Sequence, residues 1–388
     1  MTERERLWAA LTGREVDRPP IWLREGFNPG GDPGAEALDF GTDHQDLTAD
    51  WKTEALYRRL HDELEPHVAT IRSWDPAGLL NRFLLVPPDA MSTKVRCVDD
   101  DTIEIVGSIE TETRELSWVD RLKRGYNTAW HVSHLVESVE DLQALADIPF
   151  SINPARIAEA RKNAFGANTM VGDRGLARLE LPSPLVAISA TMTLQQFLEL
   201  TVVEQPFLVD LLAEVTERVE RVIDALFADG ALPTVANFGG SEQATPPMMA
   251  PYAFDEFVVP YDGRLVRRLQ AHGVPVNMHA HGRVRHALSC MREMGVDSTD
   301  PVEPPPAGDL TIAEARSIVG DDVTLVGNLE FDELEYAEPS YIADRVKEIL
   351  AVGPRRLVVG ASGGPLSKIT PQLANNYRSW IAAVLEQG

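Results

Sequence analysis

A regular alternation of two kinds of segment constrains the fold of this chain more than any other feature. From about residue 140 onward, short apolar stretches typical of β-strands take turns with longer stretches of helical periodicity. Parallel strands need a connection long enough to carry the chain back to the same end of the sheet, and a helix supplies it. The predicted strands are NTMVGD (168–173), PTVANF (233–238), VPVNMHA (274–280), GVDSTD (295–300), VTLVGN (323–328) and RLVVGA (356–361), with helices at about 193–229, 252–272, 283–294, 311–319, 339–352 and 371–387.

Two earlier strands, at 19–23 and at about 68–73, bring the predicted number to eight. Eight strands with a helix after nearly every one predict an α/β fold of the (β/α)8 TIM-barrel type, here as a single domain over residues 1–388. An open, doubly wound sheet is the alternative. It is disfavoured because no G-x-G-x-x-G follows an early strand and no G-x-x-x-x-G-K-[ST] occurs in the sequence.

The segments before the second strand have clear local signals. Residues 2–12 are predicted to form an amphipathic helix that Thr2 caps and Gly13 ends. A Gly/Pro/Asp-rich stretch at 27–42 predicts a loop, and helical spacing returns at 44–64.

An insertion interrupts the barrel pattern. Between about 92 and 132 the chain contains short alternating runs, VRCV, TIEIVGSI, TRELSWV and TAWHV, separated by DDD, ETE and RGYN. Alternating runs with such connections are typical of β-hairpins. We therefore expect an antiparallel hairpin insertion near residues 92–132.

The charge balance and the cysteine count exclude several classes of protein. Acidic residues outnumber Lys and Arg by 60 to 36, a net charge of −24, which argues against nucleic-acid binding. The charged amino end has no signal-peptide run and no window of 18 uncharged apolar residues occurs, so we expect a cytoplasmic protein without membrane spans. Cys97 and Cys290 are too few for a disulfide scaffold. Cys290 is predicted to be a small buried residue of a helix, and His286 a surface or packing residue.

Polar residues follow almost every predicted strand. In a (β/α)8 barrel the reactive groups stand at the carboxyl ends of the strands, so these residues are predicted to converge on one rim. A single Asp or Asn at such a position often only caps the next helix, but their number favours a functional site. The strand-end residues are Arg24, Trp74, Asp75, Asp173, Arg174, Asn237, Ser241, Glu242, His279, His281, Asp300, Glu303, Asn328, Glu330 and Ser362.

His279 and His281 are the sharpest single signal. One residue separates them, so on a strand both imidazoles point to the same face, and two such rings are a good start to a zinc site. Glu242 and Glu303 are the candidates for a carboxylate ligand that completes it. Alternatively, Glu303 holds the tautomer of one histidine as a hydrogen-bonding partner.

Several longer stretches resemble one enzyme superfamily. They are RPPIWLR (18–24), MAPYAFDEFVVPYDGRL (249–265), VNMHAHG (276–282), GVDSTD (295–300), DDVTLVGNLE (321–330) and LVVGASGGPLSKITPQ (357–372). In this order they resemble the uroporphyrinogen decarboxylase superfamily, which includes cobalamin-dependent methyltransferases. The resemblance independently implies a (β/α)8 barrel, and it implies a homodimer.

The chain departs from the motifs of both best-known branches of the family, and it resembles the cobalamin-dependent methyltransferases more than the tetrapyrrole decarboxylases. The tetrapyrrole decarboxylases carry paired arginines, of which only Arg24 is matched here. The zinc methyltransferases carry H-x-C-G and a later G-C-G, where this chain has His279-Ala280-His281-Gly282 and Ala361-Ser362-Gly363. The resemblance thus implies a zinc or other divalent metal site with His279, His281 and Glu303 as ligands, Glu242 being the other candidate for the third position.

Imidazole and carboxylate ligands leave zinc a harder Lewis acid than thiolates do, which suits a methyl group bound to oxygen. We therefore expect a methyltransferase that moves a methyl group from a small substrate to a corrinoid protein. Two alternatives stay open. One is a metal-independent decarboxylase of a small carboxylic acid, and the other is a barrel that binds a ligand without catalysis.

Roles follow for the remaining rim residues. Arg24, Asp75 and Glu242 are predicted to be catalytic, and Trp74, Asn237, Asn328 and Ser362 to bind substrate. Four of them have a structural alternative: a salt bridge for Arg24, an Asx-capped turn for Asp75, and pinning of strand ends for the two asparagines.

Overall fold

The computed structural model describes residues 1–24, 54–126 and 128–386. In chain order the first part contains α1 (Glu3–Leu11), β1 (Ile21–Trp22), α2 (Ala55–Leu64), β2 (Thr70–Trp74), β3 (Met91–Asp99), β4 (Thr102–Glu110), β5 (Glu115–Lys123) and β6 (Ala129–Ser133). Then follow α3 (Val139–Ala146), α4 (Pro154–Val171), β7 (Gly175–Pro182), α5 (Pro184–Ser189), α6 (Leu194–Val203), α7 (Gln205–Phe227), β8 (Val235–Gly239), α8 (Tyr252–Phe257) and α9 (Val259–Ala271). The last part contains β9 (Val276–Ala280), α10 (Arg285–Met294), β10 (Ser298–Pro301), α11 (Ile312–Val319), β11 (Thr324–Leu329), α12 (Phe331–Tyr336), α13 (Pro339–Leu350), β12 (Leu357–Ala361) and α14 (Pro371–Leu385).

Eight parallel strands form a nearly closed barrel, which confirms the predicted fold class. Their order is β1-β12-β11-β10-β9-β8-β7-β2, and every recorded pairing is parallel. At the remaining seam the backbone N–H of Ala69 donates to the carbonyl of Ile21 at 2.8 Å. The carboxyl ends of all eight strands consequently meet at one rim.

The first helix closes the opposite end of the barrel. It begins with a capping box, in which the Thr2 hydroxyl accepts from the N–H of Glu5 at 3.1 Å and the Glu5 carboxylate accepts from the N–H of Thr2 at 2.9 Å. Its apolar face, with Leu7 and Leu11, packs on inward-facing residues such as Trp22, Ile71, Val235, Val326 and Val358. This apolar layer forms the floor beneath the rim.

The predicted strand at 168–173 is wrong. Helix α4 continues to Val171 and buries Ala160, Ala164, Ala167 and Val171 at helical spacing, and the strand is β7, at 175–182. The β-branched and apolar residues near the end of α4 resemble a strand in composition but belong to the helix. As a result Asp173 and Arg174 precede β7 and lie at the end of the barrel away from the rim, where Arg174 pairs with Glu65.

Two predicted helices are each divided in two. The stretch at 193–229 is interrupted at Glu204, and that at 252–272 at Val258. Each break lies two residues before a proline, Pro206 and Pro260, which cannot donate a backbone hydrogen bond inside a helix. Of the predicted helix at 44–64, residues 55–64 are helical; the predicted loop at 27–42 and residues 44–53 lie outside the described part.

The insertion is a separate antiparallel sheet in the order β3-β4-β5-β6, as predicted for residues 92–132. A Cβ atom at Gly107 would lie only 2.1 Å from the ring of Trp118, so this strand position requires glycine. The Trp118 ring packs against Phe83, with 4.4 Å between the ring centroids, and so joins the sheet to the barrel side. None of the helices in the described ranges combines the length and apolar character that a bilayer span needs.

Candidate functional site

Most of the predicted site residues lie at the rim, the end of the barrel where the strands have their carboxyl ends. Arg24 follows β1, Trp74 and Asp75 stand at the end of β2, and Asn237 and Glu242 lie in and after β8. His279 lies in β9 and His281 just beyond it, and Glu303 follows β10. Asn328 lies in β11 and Ser362 follows β12.

His281 is held by Glu303. Nδ1 of His281 lies 2.6 Å from Oε1 of Glu303, and the backbone N–H of Gly282 donates to Oε2 at 2.6 Å. Burial disfavours the charged form of Glu303, but these two hydrogen bonds outweigh it and lower the pKa of the carboxyl group. For His281, burial opposes the charge, but the hydrogen bond and charge of Glu303 and the charge of Glu242 raise its pKa. This contact is the one expected if Glu303 fixes the tautomer of His281, which is the alternative to Glu303 binding the metal directly.

His279 has an equivalent partner in Asp300. Nδ1 of His279 lies 2.9 Å from Oδ2 of Asp300, the same oxygen to which Nη1 of Arg24 donates. The parallel register sets His279 opposite Asp300 on the neighbouring strand. The two imidazole centroids are 4.6 Å apart and the ring planes are nearly perpendicular. Each histidine of the pair is thus hydrogen-bonded to its own carboxylate.

Arg24 lies in a buried ion pair with Asp300. Their side chains are only 9% and 3% exposed, and the guanidinium also lies over the ring of Trp22, 4.8 Å from its centroid. The positive charge of Arg24 is therefore neutralised within the protein. This is the structural alternative that the sequence left open.

A chain of polar side chains continues across the barrel below the histidines. Asn277 donates to Asp300 and, at 2.7 Å, to Oδ1 of Asn237, whose own amide donates to Oε2 of Glu180 at 2.7 Å. Arg178 pairs with Glu180 from the same strand. Sequence reasoning missed Arg178 and Glu180 because the strand that carries them was placed too early; the R-x-E alternation within GLARLELP was the signal.

Glu242 lies beside the histidine pair in a short 3-10 turn, Ser241–Ala244, after β8. Burial raises the pKa of its carboxyl group, and the charge of Glu303 adds to this effect. Its Oε2 atom is buried and has no hydrogen-bond partner among the described residues. A buried carboxylate oxygen without a partner is costly, and a bound cation would compensate that cost.

Glu330 is an acidic rim group to which the sequence assigned no role. The Ser362 hydroxyl donates to Oε2 of Glu330 at 2.9 Å and accepts from the N–H of Phe331 at 3.0 Å. Burial raises the pKa of Glu330 to about 7, and the negative charge of Glu303 contributes. Ser362, predicted to bind substrate, is therefore engaged with this acid.

Three other predicted residues have partners inside the protein. The Trp74 indole N–H donates to the Thr234 hydroxyl at 2.9 Å in the core, and the Asn328 amide donates to the carbonyl of Val302 at 2.9 Å. Asp75 is exposed and accepts from the N–H of Gly78, three residues further on, at 3.4 Å, so its side chain caps the turn after β2. These contacts fix strand ends and the turn after β2.

The ligand atoms of the metal-binding residues predicted at the rim do not lie together in a compact cluster. Within the described part of the chain, one group of three His, Cys, Asp or Glu residues has its ligand atoms all within 4.8 Å of one another, and it comprises Asp255, His286 and Cys290, not the rim residues. At the rim, a carboxylate at Nδ1 of each imidazole is the arrangement that accompanies metal-binding histidines. The donor types of His279, His281 and Glu242 fit a divalent cation such as Zn²⁺.

Comparisons with known proteins agree with this fold. The sequence profile of the family described as uroporphyrinogen decarboxylase (URO-D) matches residues 177–375, which carry seven of the ten predicted site residues. The uroporphyrinogen decarboxylase of Myxococcus xanthus (strain DK1622) is 33% identical over 128 residues, which are 32% of this chain and 34% of that protein. The match thus spans about a third of the length of this relative.

A solved methyltransferase structure matches this chain along its whole length. A methyltransferase from Methanosarcina mazei superposes with a TM-score of 0.59 at 18% sequence identity, over 100% of this chain and 99% of that one. At this level of identity the likeness shows a shared fold.

Proposed function

This chain belongs to the uroporphyrinogen decarboxylase family, and on that premise we propose that it is a methyltransferase with a divalent metal at its rim. The methyl group moves from the oxygen of a small substrate to a corrinoid protein. The observation that carries this proposal is the histidine pair, in which each Nδ1 is held by its own carboxylate while a buried oxygen of Glu242 lacks a partner among the described residues.

The residues at the rim suit a hard cation more than a soft one. His279 and His281 provide nitrogen and Glu242 provides oxygen, and neither cysteine of the chain lies at the rim. Zinc, or another divalent metal, fits this set. When bound there, such an ion supplies Lewis-acid activation of an ether or alcohol oxygen.

The protein's own groups have separate tasks in this proposal. Glu303 and Asp300 accept the Nδ1 hydrogens, which makes Nε2 the basic nitrogen of each ring. Arg24 balances the charge of Asp300. Glu330, with a pKa of about 7, is protonated in a large fraction of molecules near neutral pH and supplies the proton that the departing oxygen takes up.

The full-length likeness to the Methanosarcina mazei methyltransferase supports the choice of this branch. The decarboxylase alternative needs Arg24 to receive a substrate carboxylate and Asp75 to relay a proton. The buried pair of Arg24 with Asp300 and the exposed turn position of Asp75 both weigh against it. The other alternative is a barrel that binds a ligand without catalysis. Glu242 and Glu330 weigh against it, because two partly buried acids with raised pKa values at one rim are typical of an active site.

The test combines metal binding with methyl transfer. Purified protein is loaded with Zn²⁺, and free cob(I)alamin serves as acceptor for methanol and a panel of methoxylated aromatic compounds, with methylcobalamin formation followed by absorbance. His281→Ala is expected to lose one equivalent of metal and the transfer. His272→Ala is the matched control, since this residue caps the carboxyl end of helix α9 and its ring stacks on Phe227, with 4.7 Å between the ring centroids. Equal metal content and activity in wild type and His281→Ala contradicts the proposal.

A further inference from the structure

A second group of metal-ligating side chains lies on the outer helices. His286 and Cys290 are one turn apart on α10, and Asp255 reaches them from α8. Nε2 of His286 lies 2.5 Å from Oδ2 of Asp255, and Sγ of Cys290 lies 3.5 Å from both Oδ1 of Asp255 and Nε2 of His286. The sequence analysis gave His286 and Cys290 only packing or surface roles, because the partner on α8 is 31 residues away from His286.

We propose that Asp255, His286 and Cys290 form a binding site for a borderline-soft divalent cation of the Zn²⁺ type, with water as the fourth ligand. A tetrahedral site with the usual Zn–S, Zn–N and Zn–O bond lengths separates sulfur from nitrogen or oxygen by about 3.6 Å, and nitrogen from oxygen by about 3.4 Å. Both contacts of Cys290 already have this length. Nε2 of His286 contacts the other carboxylate oxygen of Asp255, Oδ2, at 2.5 Å, so this hydrogen bond must open and the carboxylate turn before one of its oxygens and Nε2 bind the same ion.

The surroundings allow that small movement and give the ion access. The side chains of Asp255 and His286 are 52% and 43% exposed, so each changes rotamer without disturbing the core. Cys290 is buried and provides the fixed point of the site. Thiolate, imidazole and carboxylate together are a ligand set that zinc accepts.

The same three residue types also occur in nucleophilic catalytic triads, but the geometry here is different. In a triad the nucleophile and the acid bind opposite nitrogens of the imidazole, whereas here both Cys290 and Asp255 contact Nε2 of His286. Burial, together with the charge of Asp255, also raises the pKa of the Cys290 thiol to about 12. A thiol in this state is a poor nucleophile, whereas metal binding displaces its proton.

A cation at this site links two segments that carry the rim. Helix α8 follows the turn that contains Glu242, and α10 follows His281 after a loop of three residues. A metal bridge between α8 and α10 therefore limits the relative movement of Glu242 and the histidine pair. This role is structural and does not depend on the reaction that the rim performs.

Co²⁺ is the probe that tests the site, because a cobalt–thiolate bond gives a charge-transfer absorption in the near ultraviolet that nitrogen and oxygen ligands do not give. Co²⁺ is titrated into chelator-treated full-length protein, and Zn²⁺ is then added as competitor. We expect the band to saturate at an intensity of one thiolate-bound Co²⁺ per chain, since Co²⁺ at the rim has no thiolate ligand and gives no such band, and we expect Zn²⁺ to abolish it. Absence of the band in the folded wild-type protein overturns the proposal.

Variants assign the band to this site. Cys290→Ser is expected to lose it, and Cys97→Ser, which alters the exposed cysteine on β3, is the matched control that retains it. His281→Ala retains the band, which separates this site from the rim and from the proposed function. A band that survives Cys290→Ser and disappears in Cys97→Ser refutes the assignment.

Two surface variants keep the test decisive if Cys290→Ser does not fold. Asp255→Asn and His286→Ala change exposed side chains, and circular dichroism verifies that both are folded. Each is expected to weaken Co²⁺ binding at least tenfold. Unchanged affinity in both variants overturns the proposal.

Discussion

Glu303 binds His281 at 2.6 Å through one carboxylate oxygen, while its other oxygen accepts from the N–H of Gly282. One side chain thus holds both the imidazole and the turn that follows it. Because both carboxylate oxygens are occupied, we propose that Glu303 acts on the site through the orientation and basicity of His281. Asp300 is hydrogen-bonded in the same way to Nδ1 of His279, which lies two residues before His281.

Glu303→Gln should weaken Zn²⁺ binding at the rim without abolishing it. Partners that hydrogen-bond a metal-binding histidine typically contribute 10- to 100-fold to affinity, about the range we expect here. His281→Ala should lose the site, and Glu220→Gln, which alters an ion pair with Arg264 on the outer helices, should have no effect. Competition against a chromophoric chelator measures all three. Complete loss in Glu303→Gln would instead identify Glu303 as a direct ligand.

Asp75→Asn should leave methyl transfer within about twofold of wild type, since the exposed carboxylate serves a turn and the amide oxygen can accept the same hydrogen bond. The decarboxylase alternative predicts a loss of at least about a hundredfold, as expected for a general acid or base. Steady-state rates of wild type and Asp75→Asn on one substrate distinguish the methyltransferase from the decarboxylase alternative.

Arg24→Met should destabilise the fold by about 3 to 5 kcal/mol, because it leaves the carboxylate of Asp300 buried without its cationic partner. Adding Asp300→Asn to this variant removes the stranded charge and should recover part of the loss. Urea denaturation measures the free energy of unfolding of the single and double variants. A single variant as stable as wild type would mean that solvent reaches Asp300.

Glu330→Gln should slow methyl transfer by about 10² to 10⁴ and remove one limb of the pH profile. The pKa of Glu330 is raised to about 7, so the proton is present below this pH and lost above it. Wild-type kcat should therefore fall as the pH rises through about 7. Glu335→Gln, on helix α12, which begins directly after Glu330, is the control. An alkaline limb that persists in Glu330→Gln assigns the proton to another group.

Asp262→Asn should stabilise the protein more at pH 8 than at pH 4. Asp262 is fully buried, receives a hydrogen bond from Ser183 at 2.9 Å, and has its pKa raised by burial from 3.8 to about 7. Between these values the folded state holds a proton that the unfolded state releases, so stability falls as the pH rises and levels off above about 7. The shift corresponds to on the order of 4 kcal/mol.

Melting temperatures of wild type and Asp262→Asn across this pH range measure the effect. The difference should grow up to about pH 7 and then stay constant, following the pKa of the buried acid. Asp224→Asn, at an exposed ion pair with Arg268, should show no such trend. A constant difference for Asp262→Asn would mean that this carboxyl group titrates normally.

The sequence predicted the barrel because the relevant signal is local. Apolar runs of strand length followed by helical periodicity repeat along the chain, and the strands at 233–238, 274–280, 295–300, 323–328 and 356–361 lie within a few residues of β8 to β12. The strand predicted at 168–173 was misplaced because the apolar residues at the end of helix α4 have the composition of a strand. Proline-induced breaks in two long helices were missed for a related reason, since both halves keep the same periodicity.

What the sequence determined by itself is that His279 and His281 stay together. Side chains two residues apart on an extended chain point to the same side, and both residues lie at the carboxyl end of β9, His279 within the strand and His281 one residue beyond it. Which groups they meet was decided by the tertiary structure. Asp300 and Glu303 come from 21 and 22 residues further along the chain, and the register of β9 against β10 brings them into place. Asp255 likewise meets His286 and Cys290 only because α8 packs against α10. Such contacts depend on how the helices and strands pack together, which the local sequence pattern does not specify.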